Sequence, residues 1–220
     1  PTAGHPEFGE IPGIETTTGP LGQGLANGLG MAISERLIKD RLGKDVINHF
    51  TYVLAGDGCM MEGISHEFAS LAGHLSLSKL IVLYDDNNIS IDGPTSLTMS
   101  DDTLGRYLSL GWDVCKVDGY NFDAINIAIK NAKNNKKPSL IACKTLIGYG
   151  SPAKEGTCGS HGSPLGKDEV LKSKTIFNWS LEPFHVPKEI KEEWIEVGRK
   201  SHIKCEDWEK KNKNIIQKYF

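Results

Sequence analysis

Phe50-Thr51-Tyr52-Val53-Leu54-Ala55-Gly56-Asp57-Gly58 runs an apolar stretch into a carboxylate framed by two glycines. About 30 residues later, Leu80-Ile81-Val82-Leu83-Tyr84-Asp85-Asp86-Asn87-Asn88 repeats the design, an apolar run closed by acids and amides. Short apolar runs of this kind read as buried strands. Between and after them the period changes to that of helices. Glu62 to Leu77 is helical, and Phe122 to Asn135 is amphipathic with Ile125, Ile129 and Ala132 inward. Trp112 to Val117 and Leu140 to Cys143 supply two further strands. Strands alternating with helices of this length predict an α/β fold: a doubly wound, mostly parallel sheet with helices on both faces. Ligands of such sheets bind beyond the carboxyl ends of the strands, where both polar clusters fall.

Upstream, residues 1–20 are rich in glycine and proline and form a loop, and Leu21 to about Leu42 takes up a helical period. Leu25, Leu29, Ala32, Ile33, Leu37 and Ile38 share a face of that helix. Gly24 and Gly28 allow close packing at a helix-propensity cost of about 1 kcal/mol each. Downstream of Gly148-Tyr149-Gly150 a polar loop, 151–166, carries Gly156, Gly159 and His161. Two boundaries follow: an α/β core over 1–166, and a helical extension over 167–220 with two or three Lys/Glu-rich surface helices that wrap the core, anchored by Trp179, Trp194 and Trp208.

Bulk properties exclude several roles. The chain has 220 residues, 39% hydrophobic and 24% charged, which suits one folded unit. A net charge of −3 without a basic tract gives no electrostatic footing for nucleic acid or a membrane surface. Five cysteines without CxxC spacing, and no signal or membrane-spanning stretch, predict reduced thiols and a cytoplasmic protein. The chain opens on Pro1 inside what reads as a binding loop, so a fragment of a longer polypeptide is expected.

Asp and Asn at these places also make ordinary helix caps and strand-end turns. Gly-Asp-Gly followed by an Asn cluster, each on its own strand, points instead to a divalent cation shared with phosphate oxygens. Mg²⁺ (or Ca²⁺) takes hard oxygen ligands and keeps positions for a diphosphate. Asp57, Asn87, a backbone carbonyl near Ile89, two diphosphate oxygens and a water would complete an octahedron.

The surrounding text resembles the transketolase family. Gly4-His5-Pro6-Glu7, Thr16-Thr17-Thr18-Gly19-Pro20-Leu21-Gly22-Gln23-Gly24, Gly56-Asp57-Gly58-Cys59-Met60-Met61-Glu62-Gly63-Ile64-Ser65, Tyr84-Asp85-Asp86-Asn87, Ser90-Ile91-Asp92-Gly93, Ile147-Gly148-Tyr149-Gly150-Ser151-Pro152 and Ser160-His161-Gly162 carry the likeness. It is strongest to bacterial members and runs through nearly all of the chain.

The resemblance implies the thiamine-diphosphate-binding fold, thiamine diphosphate as cofactor, and Asp57, Asn87 and the Ile89 carbonyl as metal ligands. It implies the Gly58 amide on the diphosphate, Leu21 and Ile91 against the thiazolium ring, and the Gly19 carbonyl on the aminopyrimidine. His5 would meet the donor sugar near its C1 hydroxyl. His161 would reach the diphosphate and the reacting centre, and imidazole suits such proton movements near neutral pH. Glu62 and Glu67 would join an acidic network at a homodimer interface, Glu62 close to the cofactor. His49, His66, His74, His185 and His202 gain no such role.

The implied reaction moves a two-carbon ketol unit from a ketose phosphate to an aldose phosphate, in the non-oxidative pentose phosphate pathway. Related dihydroxyacetone or deoxyxylulose-phosphate synthases are the nearer alternative. A non-catalytic cofactor-binding subunit needing a partner chain is the more distant one. The family's pyrimidine-binding domain, with its activating glutamate and its sugar-phosphate arginines, has no counterpart in this sequence, so the 220 residues alone are expected to be inactive.

Overall fold

The computed structural model describes residues 5–219, and their backbone forms a four-stranded parallel sheet. The strands are β1 (Thr51–Gly56), β2 (Leu80–Asp86), β5 (Asp113–Asp118) and β6 (Ser139–Lys144), in the spatial order β1-β2-β6-β5. A small ribbon of β3 (Ile89–Ser90) and β4 (Gly93–Pro94) hangs from the end of β2. Helices α2 (Asp57–Met61) and α3 (Gly63–His74) join β1 to β2, α4 (Thr103–Ser109) precedes β5, and α5 (Phe122–Lys133) returns the chain to β6.

That return, back between β2 and β5, places α5 on the opposite face from the earlier helices. On one face Val53, Ala55, Leu80, Val82, Tyr84, Leu140 and Ala142 pack with α3, α4 and α1 (Gln23–Leu42). On the other, Ile81 and Ile141 meet Ala128 and Ala132 of α5. The predicted two-faced coverage is present but uneven. Leu54, on the outer side of β1, is 81% exposed.

Close approach builds the crowded face. A Cβ at Gly28 would run into Val53 Cγ2, so α1 can lie tight on β1 there, whereas Gly24 meets only Thr18 at ordinary distance. Leu37, expected on the inner face of α1, is exposed; the buried residue beside it in the turn is Glu35, held by Lys79 at 2.5 Å. Gly43 ends the helix at φ 94°, its N–H donating to Lys39 O, as a glycine cap does. Trp112 lies outside β5, fully buried, its indole donating to Ala69 O at 2.8 Å and its ring edge-on to Tyr107.

Two expectations are corrected here. The helical run from Glu62 is interrupted at its start. Glu62 adopts an extended backbone (ψ 144°) that separates α2 from α3, because the chain leaves the strand through a short helix beginning at Asp57. In the C-terminal region, whose described residues form two helices, α6 (Lys167–Ile176) and α7 (Lys188–Tyr219), it is one of the expected anchors that is corrected. Trp194 is 74% exposed and anchors nothing. Trp208 does anchor, donating to Val46 O at 2.7 Å, and Trp179 closes the turn before α7 through His185 O. No helix of the described residues is long and apolar enough to cross a membrane.

Gly73 offers a test of this packing, since any Cβ there would clash with the Leu110 backbone oxygen, which cannot swing aside. Gly73→Ala is expected to cost about 1–3 kcal/mol despite alanine's better helix propensity. A thermal melt should show a drop of roughly 2–4 °C per kcal/mol; an unchanged midpoint would refute the contact.

Candidate functional site

β1 and β2 run in register with Gly56 opposite Asp85, so the residues that follow meet at one edge of the sheet. Asp57, the first residue of α2, turns its carboxylate across to the end of β2 and is 3% exposed. The Tyr84 hydroxyl donates to Oδ1 at 2.5 Å. The backbone N–H groups of Asn87 (3.1 Å) and Asn88 (2.9 Å) donate to Oδ2. Asn88 sits at φ 62°, a left-handed conformation asparagine tolerates, and this turns two successive amides toward one oxygen.

The Asn loop is itself fixed from behind. Asn87 Oδ1 accepts from Ile89 N–H at 2.9 Å, and Asn87 Nδ2 donates to Asp85 at 3.3 Å. Asp85 accepts the Thr145 hydroxyl, while Asp86 lies between Lys144 (3.4 Å) and Lys116 (3.6 Å). The ends of β2, β6 and β5 are thereby tied together beneath the loop. The β3–β4 ribbon then carries Ile91 outward at its tip, 69% exposed.

Leu21, 54% exposed, approaches Gly58 from the loop before α1; a Cβ at Gly58 would stand 3.1 Å from Leu21 Cδ1. Gly22, at φ 79°, lets that loop press on Ile64 at the start of α3. His5 rests against Gly19, where a Cβ would lie 3.7 Å from Cε1 of the imidazole. Glu62 and Glu67 are exposed, Glu62 before α3 and Glu67 on it.

His161 is exposed in a separate loop, just after the short 3-10 turn Cys158–Ser160, with no hydrogen bond to Asp57, Asn87 or His5. That loop is clamped by Glu169 of α6, which accepts the Ser151 hydroxyl at 2.7 Å and Ala153 N–H at 2.6 Å. The structure therefore unites Asp57 with Asn87, Leu21 with Gly58, and His5 with Gly19. It leaves His161 on its own support.

Two contributors went unmarked in the sequence. Glu169 had no signal beyond a helix acid. Tyr84 had a faint one, an aromatic hydroxyl on an inward strand position next to an acid cluster.

Burial raises the pKa of Asp57 above its ordinary value, and the hydrogen bonds from Tyr84, Asn87 and Asn88 counteract only part of that. Burial, then the Asp57 carboxylate beside it, pushes the Tyr84 phenol far up as well. The donor set suits a hard divalent cation: a desolvated carboxylate and neighbouring amide and carbonyl oxygens, with exposed apolar Leu21 and Ile91 on either side. Among the described residues no three His, Cys, Asp or Glu side chains converge. The open grooves lie elsewhere, along Trp208–Gln217 and beside Lys44–His49, so concavity alone does not mark this edge.

A family model described as transketolase, thiamine diphosphate binding domain, matches residues 1–220. A transketolase of Buchnera aphidicola is 52% identical over 225 residues, covering 99% of this chain and 33% of that protein. One from Sinorhizobium medicae is 49% identical, covering 94% of this chain and 30% of its own length. Among solved structures, a transketolase from Leishmania mexicana superposes with TM-score 0.91 at 38% identity, over 99% of this chain and 33% of that one. A Pichia stipitis transketolase in complex with sedoheptulose-7-phosphate gives TM-score 0.87 at 41% identity, over 95% and 32%. The chain spans about a third of the length of the curated relatives it matches.

Asp57 yields a pH-dependent expectation. Its pKa in the fold lies above the ordinary 3.8, so the folded state holds the proton more tightly. Its contribution to stability is then full below 3.8 and is lost as pH rises through the raised value. Asp57→Asn, which does not titrate, should melt higher than the metal-free parent at pH 7, with the gap closing toward pH 3.8. A variant that melts lower at both pH values would overturn this.

Glu169 has the opposite sign. The Ala153 N–H and then the Ser151 hydroxyl hold its pKa below 4.5, so its support is present above that value and lost on acidification. Glu169→Ala should expose the segment from Gly148 to Ser160 to limited proteolysis at neutral pH, while Glu169→Gln should expose it less. Equal resistance in both variants and the parent would refute the clamp.

Proposed function

Because this chain belongs to the transketolase thiamine diphosphate binding domain family, we propose that its strand-end site holds the cofactor's diphosphate through a divalent cation. Asp57, Asn87 and the Ile89 carbonyl would hold the cation, Mg²⁺ in preference to Ca²⁺, since one carboxylate plus neutral oxygens leaves positions for phosphate and water. The Gly58 amide would take a diphosphate oxygen, Leu21 and Ile91 would border the cofactor ring, and the Gly19 carbonyl would hold the aminopyrimidine amine. When bound, thiamine diphosphate supplies the carbon nucleophile that no side chain offers.

The complete protein, on this reading, transfers a two-carbon ketol unit between sugar phosphates. The protein's own work is positional and acid–base. His5, in its glycine-framed loop next to Gly19, would orient the donor sugar and take a hydroxyl proton. His161 would approach from the second loop, which Glu169 keeps in place before any ligand arrives. Leu21 and Ile91 would keep water from the reacting atoms. Glu62 and Glu67, both exposed, would belong to an acidic network between two copies of the chain. A cytoplasmic setting and a role in the non-oxidative pentose phosphate pathway complete the proposal.

One observation carries it: the Asp57 carboxylate is buried between two strand ends, with backbone amides on one oxygen and the other oxygen only partly engaged. A non-catalytic cofactor-binding subunit shares that observation, and the chain's one-third coverage of its relatives favours an activity completed by further protein.

Calorimetric titration separates these readings. Thiamine diphosphate should bind in Mg²⁺ and fail to bind after chelation, and Asp57→Ala should abolish the metal-dependent part; unchanged affinity would reject the metal assignment. The 220 residues alone should show no ketol transfer, and robust turnover would overturn the claim that other protein completes the site. In the full enzyme His5→Ala should lower kcat/KM for the ketose by about 100-fold, the lower range for an acid–base group, with cofactor affinity kept. A loss confined to cofactor binding would contradict the role given to His5.

A further inference from the structure

Resting on the reading that Asp57 takes a divalent cation, we infer that Tyr84 is a positioning residue: the Asn87 and Asn88 amides leave Oδ1 as the open oxygen, and Tyr84 sets which acceptor direction of Oδ1 the cation meets. An ionised carboxylate offers about four acceptor directions, two per oxygen. On Asp57 the amides of Asn87 and Asn88 occupy both directions of Oδ2, and the Tyr84 hydroxyl occupies one of Oδ1. The single remaining direction lies on Oδ1, the oxygen that Tyr84 grips.

Three consequences follow from that count. Ligation is confined to one oxygen, the mode an octahedral Mg²⁺ favours, whereas a bidentate grip of the kind Ca²⁺ often takes would have to displace the amides. The phenol, donating to the same oxygen, fixes rotation of the carboxylate about its Cβ–Cγ bond. The phenol's own position is fixed by packing. Tyr84 belongs to the main core and sits opposite Ala55 in the parallel register, one residue before the Gly56–Asp85 pair. The β1–β2 pairing thus sets the direction of the free lone pair. Partners of metal ligands that act in this way change metal affinity by about 10- to 100-fold when removed.

Tyr84→Phe deletes the hydroxyl and keeps the ring in the core. The experiment measures, in the full-length enzyme that carries this domain, the Mg²⁺ and Ca²⁺ concentrations that half-saturate thiamine diphosphate binding by calorimetry, alongside the melting temperature. The expected result is a rise of about 10- to 100-fold in half-saturating Mg²⁺. The rise for Ca²⁺ should be smaller, the melting temperature close to the parent's, and cofactor binding recovered at saturating metal. Half-saturating Mg²⁺ within twofold of the parent would overturn the inference. So would equal rises for both cations with a large fall in melting temperature, which is the signature of a core residue alone.

A second readout needs no folded variant: Mg²⁺ added to the unaltered protein should perturb the tyrosine near-ultraviolet band, and a flat difference spectrum would count against Tyr84. Failure of the underlying metal reading looks different, because the parent and Asp57→Ala would then bind cofactor alike with and without metal.

Discussion

The Asp57 carboxylate, buried between the ends of β1 and β2, is the interaction on which the site depends. It is a side chain of one strand's exit satisfied by the backbone of the next strand's exit, through Asn87 and Asn88. A hydrogen bond to a charged group in such a place contributes more than an ordinary one, about 1.5–3 kcal/mol. Yet burial still leaves Asp57 with a raised pKa, so the protein alone does not compensate fully for desolvating it. A residue optimised for the fold would be neutral here. One that is charged, clamped and short of a partner fits the proposed cation site, where readiness for a positive ligand would come at some cost in stability.

The sheet's register turns this local compromise into a geometry. Gly56 pairs with Asp85, and β6 and β5 extend the same edge, so Lys144, Lys116 and Thr145 brace the acids behind the Asn loop. The charged pairs are partly exposed and individually add little, about 0–1 kcal/mol each. Their shared effect is to engage Asp85 and Asp86 behind the Asn loop, which leaves Asp57 as the carboxylate for the proposed cation. The left-handed Asn88 is strained for most side chains, and it persists because Thr95 N–H, the Asp57 carboxylate and the β3–β4 ribbon all hold the turn.

Much of this was legible in the chain, for identifiable reasons. β2 announces itself because a parallel strand covered on both faces is apolar throughout, β1 is apolar by type although Tyr52 and Leu54 face outward, and the polar residues closing each run mark where a ligand is expected. Gly28 was legible as a close contact, since nothing larger clears Val53. What escaped depends on tertiary partners. Helix α4 is seven residues long and too short for a period; its support is the Asp102 cap, buried Tyr107 and Arg106 reaching Met60 O. Leu37 and Trp194 look like core residues by type but face outward, because an apolar residue need not be buried. The pairing of Tyr84 with Asp57, and of Glu169 with the His161 loop, spans 27 and 16–18 residues without any local pattern to betray it.

The exposure of Leu21 and Ile91 bears on what the 220 residues can do. Small-molecule sites cover about 70–90% of their ligand, mostly with apolar surface. Here the two apolar residues expected to border a cofactor ring stand 54% and 69% exposed, on a loop and on a ribbon tip, with nothing packed over them among the described residues. They form one wall. The clamp on Asp57 and the Glu169 brace are in place beside them, and on the proposed reading a complementary surface, from the same polypeptide or another copy, would cover the cofactor ring. A reaction that requires a dry centre cannot proceed against one wall. On the proposed reading the labour divides: these residues would fix charge and direction, and enclosing the reacting atoms would fall to a further surface.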